Sequence, residues 1–217
     1  MKTILHGHSI NNGLVTANEI LGLLNLPCEG IELDIRSRGG IPVVVHDAKD
    51  LEYGEPLSKL LPVIAASGKM LFIELKEYNR DLWNAIVLSV EEHHLESRTI
   101  LFAFPGVARK FPWQEGRVVS LGIIEPFPWR INKILKTLRP EMIMIGWGSN
   151  WEKLTFGLER TIFKIIWRIL TRFSKPQDLP VKIVVGSLHT EKDLAWATGQ
   201  RIFFANICDR ACLESSL

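Results

Sequence analysis

Cysteine is scarce in this sequence, with three in 217 residues, and no run of about eighteen uncharged apolar residues occurs. So few cysteines exclude a small disulfide-stapled domain, and Cys208 and Cys212 lack the second ligand pair that a zinc knuckle needs. Without a long apolar run, no segment is expected to span a bilayer. The N-terminal apolar run is too short for a signal peptide, so we expect reduced thiols and a cytoplasmic protein.

Net charge of one sign is also nearly absent, because 26 Lys and Arg face 24 Asp and Glu. The resulting +2 gives no reason to expect a nucleic-acid partner. The charge is nevertheless uneven: residues 1–100 hold 9 basic and 14 acidic side chains, and residues 101–217 hold 17 and 10. No repeat, low-complexity tract or linker interrupts the chain, so we expect a single domain over residues 1–217.

Short β-branched runs alternate with longer stretches of helical periodicity, which is typical of βα units around a parallel sheet. The eight predicted strands are Thr3–His6, Gly30–Arg36, Met70–Lys76, Thr99–Phe104, Arg117–Ile124, Met142–Trp147, Val181–Gly186 and Arg201–Ile207. The predicted helices are Thr16–Leu24, Pro56–Ala66, Asp81–His93, Val107–Phe111, Pro128–Leu138, Thr155–Phe173 and Glu191–Thr198. A further extended segment follows the second strand after the Gly39-Gly40 turn.

Eight strands with intervening helices predict an α/β fold, a single closed (β/α)₈ TIM-type barrel, which a chain of roughly 200 residues can form. A doubly wound open sheet is the alternative. Its usual nucleotide-binding turns, G-x-G-x-x-G and G-x-x-x-x-G-K-[ST], follow none of the predicted strands.

Charged side chains lie on one face of two predicted strands. In GIELDIR, apolar residues alternate with Glu32 and Asp34, so the period of two places both carboxylates on the same face. LFIELK repeats the alternation with Glu74 and Lys76. Because barrel active sites form at the carboxyl ends of the strands, we expect these groups to meet there with His6, which ends the first strand.

Converging carboxylates repel one another and are costly to bury unless they are paired or bind a metal. Oxygen ligands favour a hard cation, so Glu32, Asp34 and Glu74 predict a site for Mg²⁺ or Ca²⁺. The alternative is a structural layer of ion pairs, Glu74 with Lys76 or Glu32 with Arg36. Two histidines at the same rim favour chemistry instead, because imidazoles supply a general acid and a general base.

Four motifs in this order resemble the glycerophosphodiester phosphodiesterase family, within the phospholipase-C-like phosphodiesterase barrels. They are His6, Glu32-Leu33-Asp34 and Glu74-Leu75-Lys76 at the ends of the first three strands, and His46-Asp47 after a Gly-rich turn. The resemblance covers residues 3–76 and fades beyond them to the βα rhythm. The ordered set is specific, whereas any one motif alone is weak.

The resemblance implies a metal-dependent phosphodiesterase that hydrolyses glycerophosphodiesters or related lysophospholipids to glycerol phosphate and an alcohol. It implies that His6 and His46 are the acid/base pair and that Lys76 contacts the phosphate. The metal ligands that it implies are Glu32, Asp34 and Glu74. In the family, a neighbouring substrate hydroxyl attacks the phosphorus, and water then opens the resulting cyclic phosphate.

This sequence departs from the family pattern in ways that concern the substrate. The first motif reads His6-Gly7-His8 where the family has His-Arg-Gly, so a phosphate-contacting arginine is absent. The segment between His46 and Glu74 lacks room for the insertion that helps to form the glycerol pocket in relatives. Two alternatives stay open: a phospholipase-D-like lysolipid phosphodiesterase that releases a cyclic phosphate, and a non-catalytic barrel that binds a phosphorylated ligand.

Further residues are candidates to line the pocket, because each follows or ends a predicted strand at the barrel mouth. They are His8, His189, Trp147 and Glu125. We expect them to contact the small-molecule phosphodiester.

The predicted helix 155–173 carries a basic arc and an unusually broad apolar arc of roughly 200°. The basic arc consists of Arg160, Lys164, Arg168 and Arg172. One interpretation is a peripheral contact with an anionic membrane. The alternative is a solvated face opposite a deeply packed one, or a dimer contact, so the oligomeric state stays open.

Overall fold

The computed structural model describes residues 1–7, 15–111, 119–146, 158–173 and 180–214. Its strands are β1 (Lys2–His6), β2 (Gly30–Arg38), β3 (Ile41–Val44), β4 (Glu55–Pro56), β5 (Met70–Leu75), β6 (Thr99–Ala103), β7 (Ser120–Ile124), β8 (Met142–Ile145), β9 (Lys182–Leu188) and β10 (Phe203–Cys208). Its helices are α1 (Ala17–Leu24), α2 (Leu57–Ser67), α3 (Arg80–Glu92), α4 (Pro105–Ala108), α5 (Ile131–Leu138), α6 (Leu158–Phe173), α7 (Glu191–Gly199) and α8 (Ala211–Glu214).

A closed ring of parallel strands forms the centre of the fold. Strand β1 pairs in parallel with β2 on one side and with β10 on the other, and β5 to β10 pair in sequence order. The ring therefore consists of β1, β2 and β5 to β10, with helices between successive strands. This confirms the predicted (β/α)₈ TIM-type barrel. The open-sheet alternative is wrong, because an open sheet would leave two strands with an unpaired edge.

A two-stranded extension lies outside the ring and carries the second histidine motif. Strand β3 pairs antiparallel with β2 and β4 pairs antiparallel with β3. Gly39 and Gly40 make the turn at φ of +60° and +90°, in the left-handed region where a side chain is strained. The extended segment predicted after these glycines is thus a β-hairpin, and His46 follows its second strand.

Short polar signals fix the helix starts that sequence reasoning singled out. Thr16 and Glu19 form a reciprocal capping box at α1, which begins one residue later than predicted because Thr16 is its N-cap. The hydroxyl of Thr190 accepts a hydrogen bond from the Asp193 backbone N–H at 3.2 Å, as expected from their spacing. Helix α4 begins at Pro105, earlier than predicted, because proline suits a first helical turn.

Two apolar layers surround the strands. The larger layer lies between the strands and the helices, and a second one fills the barrel lumen. The lumen residues include Ile4, Phe72, Ile100, Phe102, Ile124, Met142, Met144, Val184, Ala205 and Ile207. Because side chains alternate along a strand, the residues two positions beyond Ile4 and Phe72 also face the lumen, and these are His6 and Glu74. The barrel is thus packed with hydrocarbon below and carries polar groups at its rim.

Candidate active site

His6 and Glu32 form the first polar contact at the carboxyl-end rim. The parallel register of β1 and β2 places these two residues side by side. Both are buried, and Nε2 of His6 lies 2.9 Å from Oε2 of Glu32. On the other side of the imidazole, Nδ1 lies 3.5 Å from Oδ1 of Asp209, which directly follows β10. The closure of the barrel therefore holds His6 between two carboxylates.

Lys76 links the carboxylates of the next two strands. Asp34 of β2 and Glu74 of β5 are register partners. The Lys76 ammonium lies 2.8 Å from Oδ1 of Asp34 and 2.6 Å from Oε1 of Glu74. The structural pair Glu74–Lys76 considered from sequence is thus present. Arg36, the other candidate for such a layer, instead donates to the carbonyl of His46 at 2.9 Å.

The concentration of charge at this rim shifts several pKa values. Burial lowers the pKa of His6, but the charge of Glu32 and the hydrogen bonds to Asp209 and Glu32 outweigh it and raise that pKa to about 10. Burial and the charge of Asp34 raise the pKa of Glu74, against the opposing charge of Lys76. Burial lowers the pKa of Lys76, yet the charges of Glu74 and Asp34 raise it overall. The rim is therefore built to hold positive charge.

The residues at the rim fit a divalent cation. Ligand atoms of His6, Glu32 and Asp34 all lie within 4.8 Å of one another, and all three residues are buried. Within the described residues, the buried Oε1 of Glu32 has no hydrogen-bond partner. A buried carboxylate oxygen without a partner is costly, and a hard cation supplies what it lacks. Glu74, the third predicted ligand, is not part of this close group of ligand atoms and contacts Lys76.

His46 lies in the loop that follows β3. The backbone N–H of Val45 donates to the carbonyl of Asp34 at 2.9 Å, so this loop is anchored directly beside the carboxylates. Nδ1 of His46 lies 2.8 Å from Oδ1 of Asp47, and the hydrogen bond from His46 lowers the pKa of Asp47. The His46 side chain is 38% exposed, so solvent can reach it.

Asp209 is a site residue that the sequence reasoning missed. Its carboxylate accepts from His189 through Oδ2 at 2.7 Å, in addition to its contact with His6. Burial raises the pKa of Asp209, but the hydrogen bonds from His189 and His6 outweigh it and hold the pKa well below its usual range. The available signal was its position shortly after the last predicted strand, the same rule that singled out Glu125.

The other predicted pocket residues differ in whether the structure places them near the site. His189 lies beside the site through Asp209. Glu125 is buried at the end of β7, but its carboxylate accepts from the Phe127 backbone N–H at 3.3 Å and lies 3.4 Å from Nε of Arg130. Local contacts thus occupy Glu125. His8 and Trp147 lie outside the described residues.

Solved structures of phosphodiesterases superpose on this barrel. A glycerophosphodiester phosphodiesterase from Agrobacterium tumefaciens matches with a TM-score of 0.66 and 12% identity, over 100% of both chains. An Oleispira antarctica phosphodiesterase, solved with the product sn-glycerol-3-phosphate, matches with a TM-score of 0.67 and 16% identity, over 100% of this chain and 96% of that one. The fold is that of the glycerophosphodiester phosphodiesterases.

A calcium-dependent phosphoinositol-specific phospholipase C from Pseudomonas also has this fold, with a TM-score of 0.61 and 10% identity, over 97% of this chain and 89% of that one. No family model matches the sequence, and no curated protein matches it either. The fold implied by the four glycerophosphodiester phosphodiesterase-like motifs is confirmed. His6 ends β1, Glu32-Leu33-Asp34 lies within β2, Glu74-Leu75-Lys76 spans the end of β5, and His46-Asp47 follows β3.

Proposed function

We propose that this protein is a divalent-cation-dependent phosphodiesterase that hydrolyses glycerophosphodiesters or related lysophospholipids to glycerol phosphate and an alcohol. The observation that carries the proposal is the meeting of His6, Glu32, Asp34 and Lys76 at one rim of a phosphodiesterase-type barrel, with His46 anchored beside them. The sn-glycerol-3-phosphate bound in the Oleispira antarctica enzyme supports the product class.

The charged groups divide into those that hold a cation and one that meets the substrate directly. Glu32 and Asp34 would hold the cation, and Glu74 adds a third carboxylate to its surroundings. A bound Mg²⁺ or Ca²⁺ stabilises the charge that develops on the phosphate oxygens. Lys76 supplies a second positive charge beside Asp34. Its ammonium would contact one non-bridging phosphate oxygen.

The two imidazoles transfer the protons. One of the pair His6 and His46 takes the proton of the attacking substrate hydroxyl as its oxygen bonds to phosphorus. The other gives a proton to the leaving alkoxide as its bond to phosphorus breaks. The same two groups, with roles reversed, let water open the cyclic phosphate. Carboxylates of Asp209 and Asp47 contact the Nδ1 atoms of the two rings and orient them.

A turnover screen followed by phosphorus NMR tests the proposal. The substrates are glycerophosphocholine, glycerophosphoethanolamine, glycerophosphoglycerol and a lysophospholipid, each with Mg²⁺, with Ca²⁺ or with excess EDTA. We expect a glycerol phosphate signal with a cation and none with EDTA. A cyclic phosphate that persists would assign the phospholipase-D-like alternative instead.

Variants of the histidines separate the catalytic from the non-catalytic interpretation. We expect His6→Ala and His46→Ala each to reduce turnover by about 10²- to 10⁴-fold. The matched control is His93→Ala, since His93 lies at the opposite end of the barrel after α3. Turnover that persists in EDTA or in both histidine variants contradicts the proposal. Glycerol phosphate binding without turnover in any arm supports the binding-only barrel.

A further inference from the structure

Helix α6 is apolar on two opposite sides, and only one of them is packed against the barrel. Phe163 and Trp167 are buried on the inner side, where Trp167 lies 5.2 Å from the ring of Phe203. The opposite side carries four large aliphatic residues that are 51% to 61% exposed. These residues, called the outer stripe below, are Leu158, Ile162, Ile165 and Ile169.

The outer stripe is narrow and continuous. At 100° per residue, its four members fall within an arc of about 60° on the side opposite Phe163 and Trp167. Single exposed apolar residues are ordinary on protein surfaces, but a solvent-facing helix side is normally polar. A row of four on consecutive turns is a surface that is stabilised by being covered.

An aromatic side chain extends this surface toward the catalytic rim. Helix α6 packs against the turn Pro128–Arg130, which follows β7 at the same end of the barrel as His6. Trp129 in that turn is 56% exposed, and its ring lies 5.0 Å from that of Phe127. Tryptophan in such a position is typical of the boundary between water and lipid.

Basic side chains outnumber acidic ones both on α6 and on the segment around α5. Residues 130–139, which include α5, hold four basic side chains and no acidic one, and α6 holds four basic side chains and Glu159. Arg160 and Lys164 contact Asp193 of α7, at 3.1 and 2.6 Å. Arg168 and Arg172 are exposed and lie next to the stripe on the helix wheel, both on the same side of it.

This charge distribution indicates which kind of partner covers the outer stripe. A second copy of the chain meeting the stripe about a two-fold axis would bring two basic surfaces together, and like charges across an interface oppose association. An anionic bilayer instead attracts basic side chains while its acyl region accepts aliphatic and aromatic ones. We propose that the outer stripe, Trp129 and the adjacent arginines form a peripheral docking surface for an anionic lipid bilayer.

Docking through this surface places the barrel rim close to lipid. Trp129 lies at the end of the surface that is near the rim. A docked protein would therefore meet a lysophospholipid, or a phosphodiester released from lipid, at the opening of its site. The proposal concerns binding alone, and a vesicle assay tests it in the absence of turnover. Failure of docking therefore leaves the proposed phosphodiesterase activity untouched.

The experiment is sedimentation of the full chain with sucrose-loaded vesicles of phosphatidylcholine alone or with phosphatidylglycerol. We expect binding to the mixed vesicles, weak binding to the neutral ones, and loss of binding as salt screens the charges. Arg168→Gln with Arg172→Gln should weaken binding to mixed vesicles roughly 30-fold, at about fivefold for each basic residue. Its matched control is Lys59→Gln with Arg201→Gln, two exposed basic residues on other elements.

A second pair of variants tests the apolar part. Ile162→Gln with Ile169→Gln should reduce binding at least tenfold, because each change removes buried hydrocarbon from the lipid contact. The control Leu21→Gln with Leu88→Gln changes two equally exposed leucines on α1 and α3. No binding to mixed vesicles, or binding that the stripe variants leave unchanged, overturns the proposal. A dimer in light scattering that the stripe variants convert to monomer also overturns it, in favour of a second copy.

Discussion

Oδ1 of Asp209 lies 3.5 Å from Nδ1 of His6, across a sequence separation that only the closed barrel can bridge. His6 ends β1, and Asp209 follows β10, which pairs with β1 in parallel. A carboxylate in this position fixes the orientation of an imidazole, and here the opposite nitrogen, Nε2, lies 2.9 Å from Oε2 of Glu32. The carboxylate of Asp209 is itself held by His189 at 2.7 Å.

Asp209→Asn therefore tests a positioning role. We expect kcat to fall about 10- to 100-fold with KM nearly unchanged, because the ring is misoriented while the phosphate contacts stay. Asp209→Glu should recover part of the loss, and Asp81→Asn, which changes an exposed carboxylate on α3, should have no effect. An unchanged kcat, or a loss that appears only as lower thermal stability, would argue against the role.

Cation binding can be measured without turnover. A ligand that binds only the folded state stabilises it by about 2.7 kcal/mol at a hundred times its Kd. We expect Mg²⁺ or Ca²⁺ to raise the unfolding temperature of the EDTA-treated protein. Glu32→Gln should remove most of this rise, because it removes the charge of a buried carboxylate in the candidate ligand set. Glu141→Gln, at the amino-end side of β8, should keep the rise.

Lys76→Met tests how much the buried ion pairs of Lys76 contribute to the free energy of unfolding. Removing one partner of a buried ion pair typically costs about 3 to 5 kcal/mol, and here the loss would leave Asp34 and Glu74 facing each other. We expect the free energy of unfolding in EDTA to fall by about that amount. Lys59→Met, which breaks an exposed pair with Glu55, should change it by less than about 1 kcal/mol. If urea titrations give the same loss of stability for Lys76→Met and Lys59→Met, burial does not determine how much the Lys76 ion pairs contribute.

Gly122→Ala tests the packing inside the lumen. A Cβ at this position would overlap the ring of Phe102, which is buried in the lumen layer. Overpacking of this kind costs about 1 to 3 kcal/mol, so the urea midpoint should fall. Gly106→Ala in α4 is the control, because a Cβ there meets nothing within 4 Å. If both variants unfold at the wild-type midpoint, the lumen is less rigid than its geometry indicates.

The fold could be predicted largely because its strands are short β-branched runs and its rim residues keep a strict period of two. Glu32 and Asp34 illustrate this, since alternation alone places them on the same face of their strand. Asp209 could not be predicted as a site residue from alternation. Its value to the site comes from the pairing of β10 with β1, and sequence periodicity does not show which strands close a ring.

A position directly after a strand also does not suffice to predict that a residue belongs to the site. Glu125 satisfies the same rule as Asp209, yet Arg130 and the Phe127 N–H occupy its carboxylate. Such local partners depend on the path of the following turn, which the sequence does not specify. For α6, the width of the apolar arc was evident, but only the packed barrel shows that Phe163 and Trp167 face inward while Ile162 and Ile169 do not.

The pairing of β1 with β10 has a consequence for how the site comes into existence. His6 can meet Glu32 as soon as the first two parallel strands associate, but its other neighbour arrives only with the final strand of the ring. A nascent or clipped chain that lacks β10 would expose the free edges of β1 and β9 and hold an untethered imidazole. Completion of the ring and the placement of His6 between its two carboxylates are thus a single event.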